Sequence, residues 1–384
     1  MKILVTHPGR QHSHQAALAL DRAGMLAGYW AGVPAVAEQA ARVPAVLRTR
    51  FGRYTPLPLD PSRARWFPWT PALRRLGPWP DFAACRLFDR WAARRLGRSG
   101  ADAVIACEIS ALSTFREAKR RGLMTFLDAP SIHHAAQDRL HGTTDPPGLH
   151  RRITAVKDAE IALADHILTV SELARRTYLE AGVPPAKVHA LPLGADLELF
   201  APDGEARKAP GFTFLFSGAT IHRKGFDLLL AAFDRVRAAH PEARLKLAGP
   251  RGDAAHLLDA RGLDGIDALG PLGQPALAAE LRQADVLVLP SRNDSYGMVV
   301  AEALASGVPV LISEMVGAKD LVTEGRTGWI VPVGDVEALG ERMAWCAGHP
   351  EAVRALREDC RRAAKAATWP AYHARLVDLM RALA

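Results

Sequence analysis

Residues 284–311 read ADVLVLPSRNDSYGMVVAEALASGVPVL. A short apolar run, Val286–Leu289, lies between Asp285 and Pro290, the pattern of a strand buried on both faces of a parallel sheet. A polar loop follows from Ser291 to Tyr296, then Gly297 and a run of helix formers through Ala305. Ser306-Gly307 stops that helix, and Val308 to Ile312 starts a second buried strand. Strand, loop, helix and strand within roughly 30 residues make a βαβ unit. Two carboxylates mark it, Asp294 in the loop and Glu302 eight positions on, inside the helix. Gly297 lets a ligand approach the backbone, and the free N–H groups of a helix start suit an anion. The same features also fit an ordinary crossover in which Asp294 caps the helix and Glu302 is solvated.

The whole string narrows that choice. It closely resembles the E-x7-E signature of retaining glycosyltransferases of family 4, with Pro290, Ser291, Tyr296, Gly297, Glu302, Ala303, Ala305, Gly307, Pro309 and Val310 all in place. Asp294 stands where that family usually has its first Glu. The resemblance implies an α/β protein of GT-B fold, two Rossmann-like domains whose parallel sheets face each other across a cleft. It divides the chain into an acceptor-side domain (1–200), a nucleotide-sugar donor domain (201–367) and a C-terminal helix (368–384) that crosses back to the first domain.

A chain of 384 residues is long enough for two such cores. No apolar run reaches membrane-spanning length, and the start MKILVTHPG reads as a strand, not a signal peptide. Cys85, Cys107, Cys346 and Cys360 are widely spaced without a CxxC pair, as expected of free thiols in a reducing cytoplasm. The net charge of +8 is concentrated: Arg42 to Arg98 holds thirteen arginines against Asp60, Asp81 and Asp89, a balance of +10. Trp66, Trp69, Trp79 and Trp91 share that segment, and its many prolines predict an irregular excursion up to Pro80, then a helix from Asp81 to Leu96. It reads either as solvated basic surface with tryptophans packed inward, or as a docking surface for an anionic membrane or a phosphate-bearing lipid acceptor. No fold or motif for nucleic-acid binding accompanies the charge.

The chain opens with a strand, Lys2 to Thr6, a loop containing Gly9, and a helix from Ser13 to Ala23 with Ser13 as its expected cap. Gly9 is either a turn residue or a point of close approach to substrate, and His7, His12 and His14 are nearby candidates for contact. Ala103–Cys107 and Thr125–Leu127 are further strands. The second leads into Asp128-Ala129-Pro130-Ser131-Ile132-His133-His134, just where α/β folds place ligands. The resemblance assigns one of His133 and His134 to the pocket for the donor sugar. Asp165–Val170 with Ser171-Glu172, and Val188–Leu193 with Gly194-Ala195-Asp196, resemble the passage that closes the family's first domain, Leu193 replacing its usual Asn. Ala201–Pro210 is the expected linker, and two domains joined there predict closure about Gly194 to Pro210.

In the second half, the strand Phe212–Ser217 runs into Gly218-Ala219-Thr220-Ile221-His222-Arg223-Lys224-Gly225 and a helix from Asp227. A glycine and a basic pair between strand and helix suit a diphosphate. By resemblance this is the family's diphosphate grip. Lys224 fits it, Ala219 stands where an Arg is usual, and Arg223 is the expected substitute. Arg244–Ala248 with Gly249, and Ile266–Gly270 with Leu272, match the strands that flank the nucleotide base.

The implied reaction is transfer of a hexose from a UDP- or GDP-linked donor to an acceptor hydroxyl, with retention, on a lipid-linked or cell-envelope glycan. Glu302 is expected to hold the ribose diol. Asp294, with the backbone of Gly297, Met298 and Val299, is expected to orient the transferred sugar. Lys224 and Arg223 are expected to neutralise the leaving diphosphate, so no metal or other cofactor is called for. Alternatives are a GT-B epimerase or phosphorylase, or a non-catalytic nucleotide-sugar-binding protein. The expected location is cytoplasmic, either free or peripheral at the inner face of the cell membrane.

Overall fold

The computed structural model describes residues 1–43, 55–73, 76–143, 145–202 and 211–384. Two sheets, every pairing in them parallel, organise the chain. The first contains β1 (Ile3–His7), β2 (Leu26–Ala31), β3 (Ala64–Trp66), β4 (Ala103–Cys107), β5 (Met124–Ala129), β6 (His166–Thr169) and β7 (Val188–Ala190), in the order β3-β2-β1-β4-β5-β6-β7. The second contains β8 (Thr213–Ser217), β9 (Arg244–Ala248), β10 (Ile266–Gly270), β11 (Val286–Leu289), β12 (Val310–Ser313) and β13 (Gly328–Val331), in the order β10-β9-β8-β11-β12-β13. Strands such as Val286–Leu289 and Val310–Ser313 are buried throughout, because helices cover both faces of a parallel sheet.

The strand order reverses between β1 and β4 in the first sheet and between β8 and β11 in the second. Loops leaving the carboxyl ends of strands at such reversals diverge to opposite faces and leave a crevice. The loops following β1, β4, β8 and β11 are therefore the ones positioned to hold a ligand.

Some expectations change on contact with the structure. Ser13 does not cap its helix: the helix spans Ser13–Arg22, His12 occupies the cap position, and Ser13 Oγ donates to Arg10 O (2.5 Å). The excursion between Arg42 and Pro80 is not wholly irregular, since Ala64–Trp66 pairs with β2 as an edge strand. The helix after it begins at Pro78, not Asp81, because a proline at a helix start gives up an N–H that has no partner anyway. Residues 44–54 and 74–75 of that segment, and most of the expected linker (203–210), lie outside the described residues. Its tryptophans divide: Trp91 packs on Trp30, Phe67 and Phe88 with ring centroids 5.4–5.8 Å apart, whereas Trp69 and Trp79 are exposed. All four cysteines are buried, and no disulfide joins any two of them.

The helix Trp369–Ala382 lies on the helix Ser13–Arg22, joined by a His373–Gln15 hydrogen bond (2.9 Å). Arg375 donates to Pro192 O (2.8 Å), and Ala195 N donates to Ala367 O (2.8 Å). Gly194 is needed at this crossing, because a Cβ there would meet the Thr368 carbonyl carbon at 2.1 Å.

Candidate active site in the interdomain cleft

Between the two sets of loops lies an open cleft of about 1340 Å³. On the second-domain side, β8 leads through Gly218 into a short turn, His222–Lys224, and then Gly225 in the left-handed conformation (φ 68°). This turn brings Arg223 and Lys224 into the cleft. The loop after β11 meets them there. Lys224 Nζ and Asp294 Oδ2 form an ion pair, and Arg223 donates to Asn293 O (2.9 Å). Arg292, fork to fork with Asp227 (2.7 Å for both bonds), ties the two loops together from behind.

Asp294 is not a helix cap. Its backbone pairs with the loop after β12, donating to Met315 O (3.0 Å) and accepting from Gly317 N (2.8 Å), while its carboxylate turns to Lys224. The helix Met298–Ala305 starts from Gly297, whose φ of 85° requires glycine. Glu302 is not solvated either. It is 6% exposed and lines the cleft, and no group among the described residues donates to its carboxyl. Burial alone pushes its pKa up to about 7. A buried carboxyl without a partner, facing an open cleft, is a site short of its ligand's hydrogen bonds.

Of the two candidate histidines, His134 lines the cleft, with Nε2 3.1 Å from Asp158 Oδ1. His133 turns away. Its Nδ1 accepts from Ala135 N (3.2 Å), capping the helix His134–His141, and its own N–H donates to Thr177 Oγ1 (2.9 Å). Burial holds both below the usual histidine range; the neighbouring His134 adds to this at His133, which lies at about 4, and Asp158 opposes it at His134. Ligand atoms of His133, His134 and Asp158 lie within 4.8 Å of one another. The two rings stack (4.2 Å, 30°), and Nδ1 of His133 is engaged by Ala135 N, which leaves its Nε2.

Gly297, Met298 and Val299 line the cleft; Gly9, Gly218, Gly249, Gly270 and Leu272 do not. Three of these glycines instead sit side by side at the ends of β8, β9 and β10. Gly249 N donates to Gly270 O (2.8 Å), and a Cβ on Gly249 would meet Gly218 O at 1.9 Å. His7, His12 and His14 all line the first-domain wall. His12 Nε2 is 2.9 Å from Asp128 Oδ1, and this carboxylate raises the His12 pKa against the lowering effect of burial.

Two residues not singled out from the sequence are also there. Glu108, directly after β4, pairs with Lys157 (3.2 Å) and accepts from Ser131 Oγ. Glu108 follows a buried strand at a sheet reversal, which is the signal that marks it. Lys157, in the middle of the helix Pro147–Leu163, carries no such signal.

Residues 211–349 match the family model for Glycosyl transferases group 1. The match falls within the second domain. A D-inositol 3-phosphate glycosyltransferase of Kribbella flavida is 34% identical over 212 residues, 50% of each chain. A phosphatidyl-myo-inositol mannosyltransferase of Mycobacterium leprae is 32% identical over 182 residues, 46% of this chain and 48% of that one. The chain thus spans about half the length of the curated relatives it matches. Among solved structures, sucrose-phosphate synthase from Thermosynechococcus elongatus superposes with a TM-score of 0.78 at 21% identity, covering 100% of this chain and 99% of that one. Anabaena HepE in complex with UDP-glucose gives 0.68 at 15% identity, with 100% of both chains covered. These likenesses establish the expected fold, a GT-B architecture whose second half carries the family match.

Proposed function

We propose that the chain is a glycosyltransferase of the family 4 type, moving a hexose from a UDP- or GDP-linked donor to an acceptor hydroxyl with retention of configuration. One observation carries this reading: the buried, unpartnered carboxyl of Glu302 opens into the same cleft as the Lys224–Asp294 pair and Arg223. A nucleotide-sugar supplies what each lacks. The ribose diol donates to Glu302, and the diphosphate meets Lys224 and Arg223. The donor sugar lies by Asp294 and the Met298 and Val299 backbone, with His134 opposite. Diphosphate binding draws Lys224 away from Asp294 and frees that carboxylate for sugar hydroxyls. As the glycosidic bond breaks, negative charge grows on the diphosphate, and the cations stabilise it most in the transition state. Arg223 takes the place left by Ala219, and this charge arrangement acts without a metal. HepE bound to UDP-glucose and the inositol-directed relatives support a nucleotide-sugar donor and an envelope or lipid-linked acceptor.

The reading includes a location at the inner face of an anionic membrane. Trp69 (65% exposed), Leu76 (71%) and Trp79 (43%) project from the first domain, and Gly77 and Pro78 between them line the cleft mouth. The surrounding arginines supply attraction to anionic headgroups. No helix among the described residues is long and apolar enough to cross a membrane. Pelleting with anionic vesicles at low but not high salt is expected, and no pelleting at low salt would remove the membrane from the reading.

The deciding experiment is a thermal-shift and calorimetric screen of UDP, GDP and their common sugar conjugates against wild type and Glu302→Ala. Binding of one nucleotide series, lost in the variant, is expected. Failure of every nucleotide to bind would overturn the reading.

A further inference from the structure

The first-domain wall contains a charged pair that the donor does not use. Glu108 and Lys157 are each 10% exposed at the side chain, yet both line the cleft. The pair spends only part of its capacity on itself. Glu108 receives Lys157 through Oε2 (3.2 Å) and Ser131 through Oε1, leaving lone pairs on both oxygens. Among the described residues only Glu108 meets the Lys157 ammonium, so further N–H donors remain.

The backbone is strained to put Glu108 there. Ile109, its neighbour, has φ 69°, a conformation that β-branched residues avoid. It is held by Ile109 N donating to Glu160 Oε2 (2.7 Å) and by Arg86 donating to Ile109 O (3.3 Å). Strain of this kind survives only where the surroundings enforce it, and it clusters at functional sites.

The pair is also wired to the donor loop. Ser131, which touches Glu108, precedes Ile132, whose N–H donates to Ser295 Oγ across the cleft (3.1 Å). Ser171 Oγ donates to Ser295 O (2.6 Å), and Ser295 is the residue after Asp294. These two bonds tie the first-domain wall to the loop that would hold the transferred sugar, and the one at Ile132 adjoins the serine that touches Glu108.

Resting on the donor reading above, we infer that Glu108 and Lys157, with Ser131, form the acceptor subsite, and that the group they hold is an uncharged polyol. A carboxylate beside an ammonium offers an acceptor and a donor at the spacing of neighbouring ring hydroxyls. The pair is neutral overall, so it presents no net charge to a phosphate. Among the described residues lining the first-domain wall, Asp145 and Asp138, the latter 3.1 Å from His150 Nε2, add carboxylates, and Lys157 is the one lysine or arginine. A phosphomonoester placed here meets repulsion; a hydroxylated ring does not. The acceptor face at this point is therefore unlike the phosphate-bearing substrates named for the Kribbella flavida relative.

The test compares binding of neutral polyols (glucose, mannose, myo-inositol) with that of their monophosphates, by saturation-transfer NMR and calorimetry, with and without UDP or GDP. The proteins are wild type, Glu108→Gln, Lys157→Met, and the double variant Glu108→Gln/Lys157→Gln, which leaves no buried charge unpaired. At least one neutral polyol is expected to bind wild type more tightly than its monophosphate, and to lose about tenfold or more in each variant. Nucleotide affinity should stay within about twofold, since those contacts lie on the other wall. That unchanged affinity also certifies that the variants fold. A monophosphate that outbinds its neutral parent, or neutral-polyol binding untouched in the double variant, overturns the inference. If no nucleotide binds any of the proteins, the donor reading fails, and the polyol measurements without nucleotide still decide the subsite.

Discussion

At the proposed donor site, the burial of Glu302 predicts a pH dependence of donor binding whose size follows from its pKa. Its pKa of about 7 means that near pH 6 the carboxyl is mostly protonated, and at pH 8 mostly ionised. The ionised form accepts from two vicinal hydroxyls at once, whereas the protonated form spends one oxygen as a donor. If the ionised form binds the ribose, apparent donor affinity rises about tenfold between pH 6 and pH 8, or ~1.4 kcal/mol. The assay is calorimetry with UDP-glucose or GDP-mannose, whose diester-linked diphosphates do not titrate there. Glu302→Gln keeps the shape but has nothing to titrate, so its affinity should be flat over this range and at least about tenfold weaker at pH 8. The same burial has a stability side. A carboxyl whose folded pKa is raised contributes stability that is fully present below its unfolded pKa and is lost as pH rises through about 7. Between pH 5 and pH 8 the wild type should lose about 2–3 kcal/mol more than Glu302→Gln in denaturant titrations. A wild-type donor affinity that does not change with pH, or a Gln variant that follows the wild-type slope, would refute the assignment of Glu302 to the diol.

Three further outcomes are expected. Lys224→Ala should lower kcat more than it raises the donor KM, by about a hundredfold or more, because its charge matters most as the diphosphate leaves; an effect confined to KM would place Lys224 in simple binding. Gly297→Ala should destabilise the fold by about 1–2 kcal/mol through its left-handed backbone alone, with extra cost from a Cβ 2.8 Å from Val316 Cγ1; an unchanged denaturation midpoint would contradict this. Tyr296→Phe removes the hydroxyl that donates to Leu193 O (2.5 Å) across the domains. It should cost about 0.5–1.5 kcal/mol and leave the pH dependence of donor binding intact, which paired denaturation and calorimetry would check.

The second-domain wall of the cleft was legible in the sequence because its parts are local. The strand, glycine turn and helix of residues 284–311 sit in one βαβ unit, and chain order keeps Asp294, Gly297 and Glu302 together. What the string could not give was that Asp294 bonds into the loop after β12, since that depends on Met315 and Gly317 arriving from the next crossover. The first-domain wall was harder to read. His12 and Asp128 meet only because β1 and β5 flank β4, and Glu108 and Lys157 only because a long helix lays its middle beside the end of β4. No short window holds either pair. Nor did spacing separate His133 from His134: one caps a helix and the other faces the cleft, a difference of one residue in where that helix begins. The three-residue strand β3 stayed hidden because its pairing with β2 outweighs the prolines around it.

The return of the chain near Gly194 has a mechanical consequence. Ala195 and Thr368 run alongside each other as a parallel bridge, so the polypeptide passes between the domains twice, at adjacent points. A body hung on a single strand can swing and spin freely. One held by two strands laid side by side resists both spin and sideways slip, and retains a swing about the line joining them. Any parting of the opposed walls is thereby confined to that line, and would bring Glu108 back to the same place opposite the loop after β11.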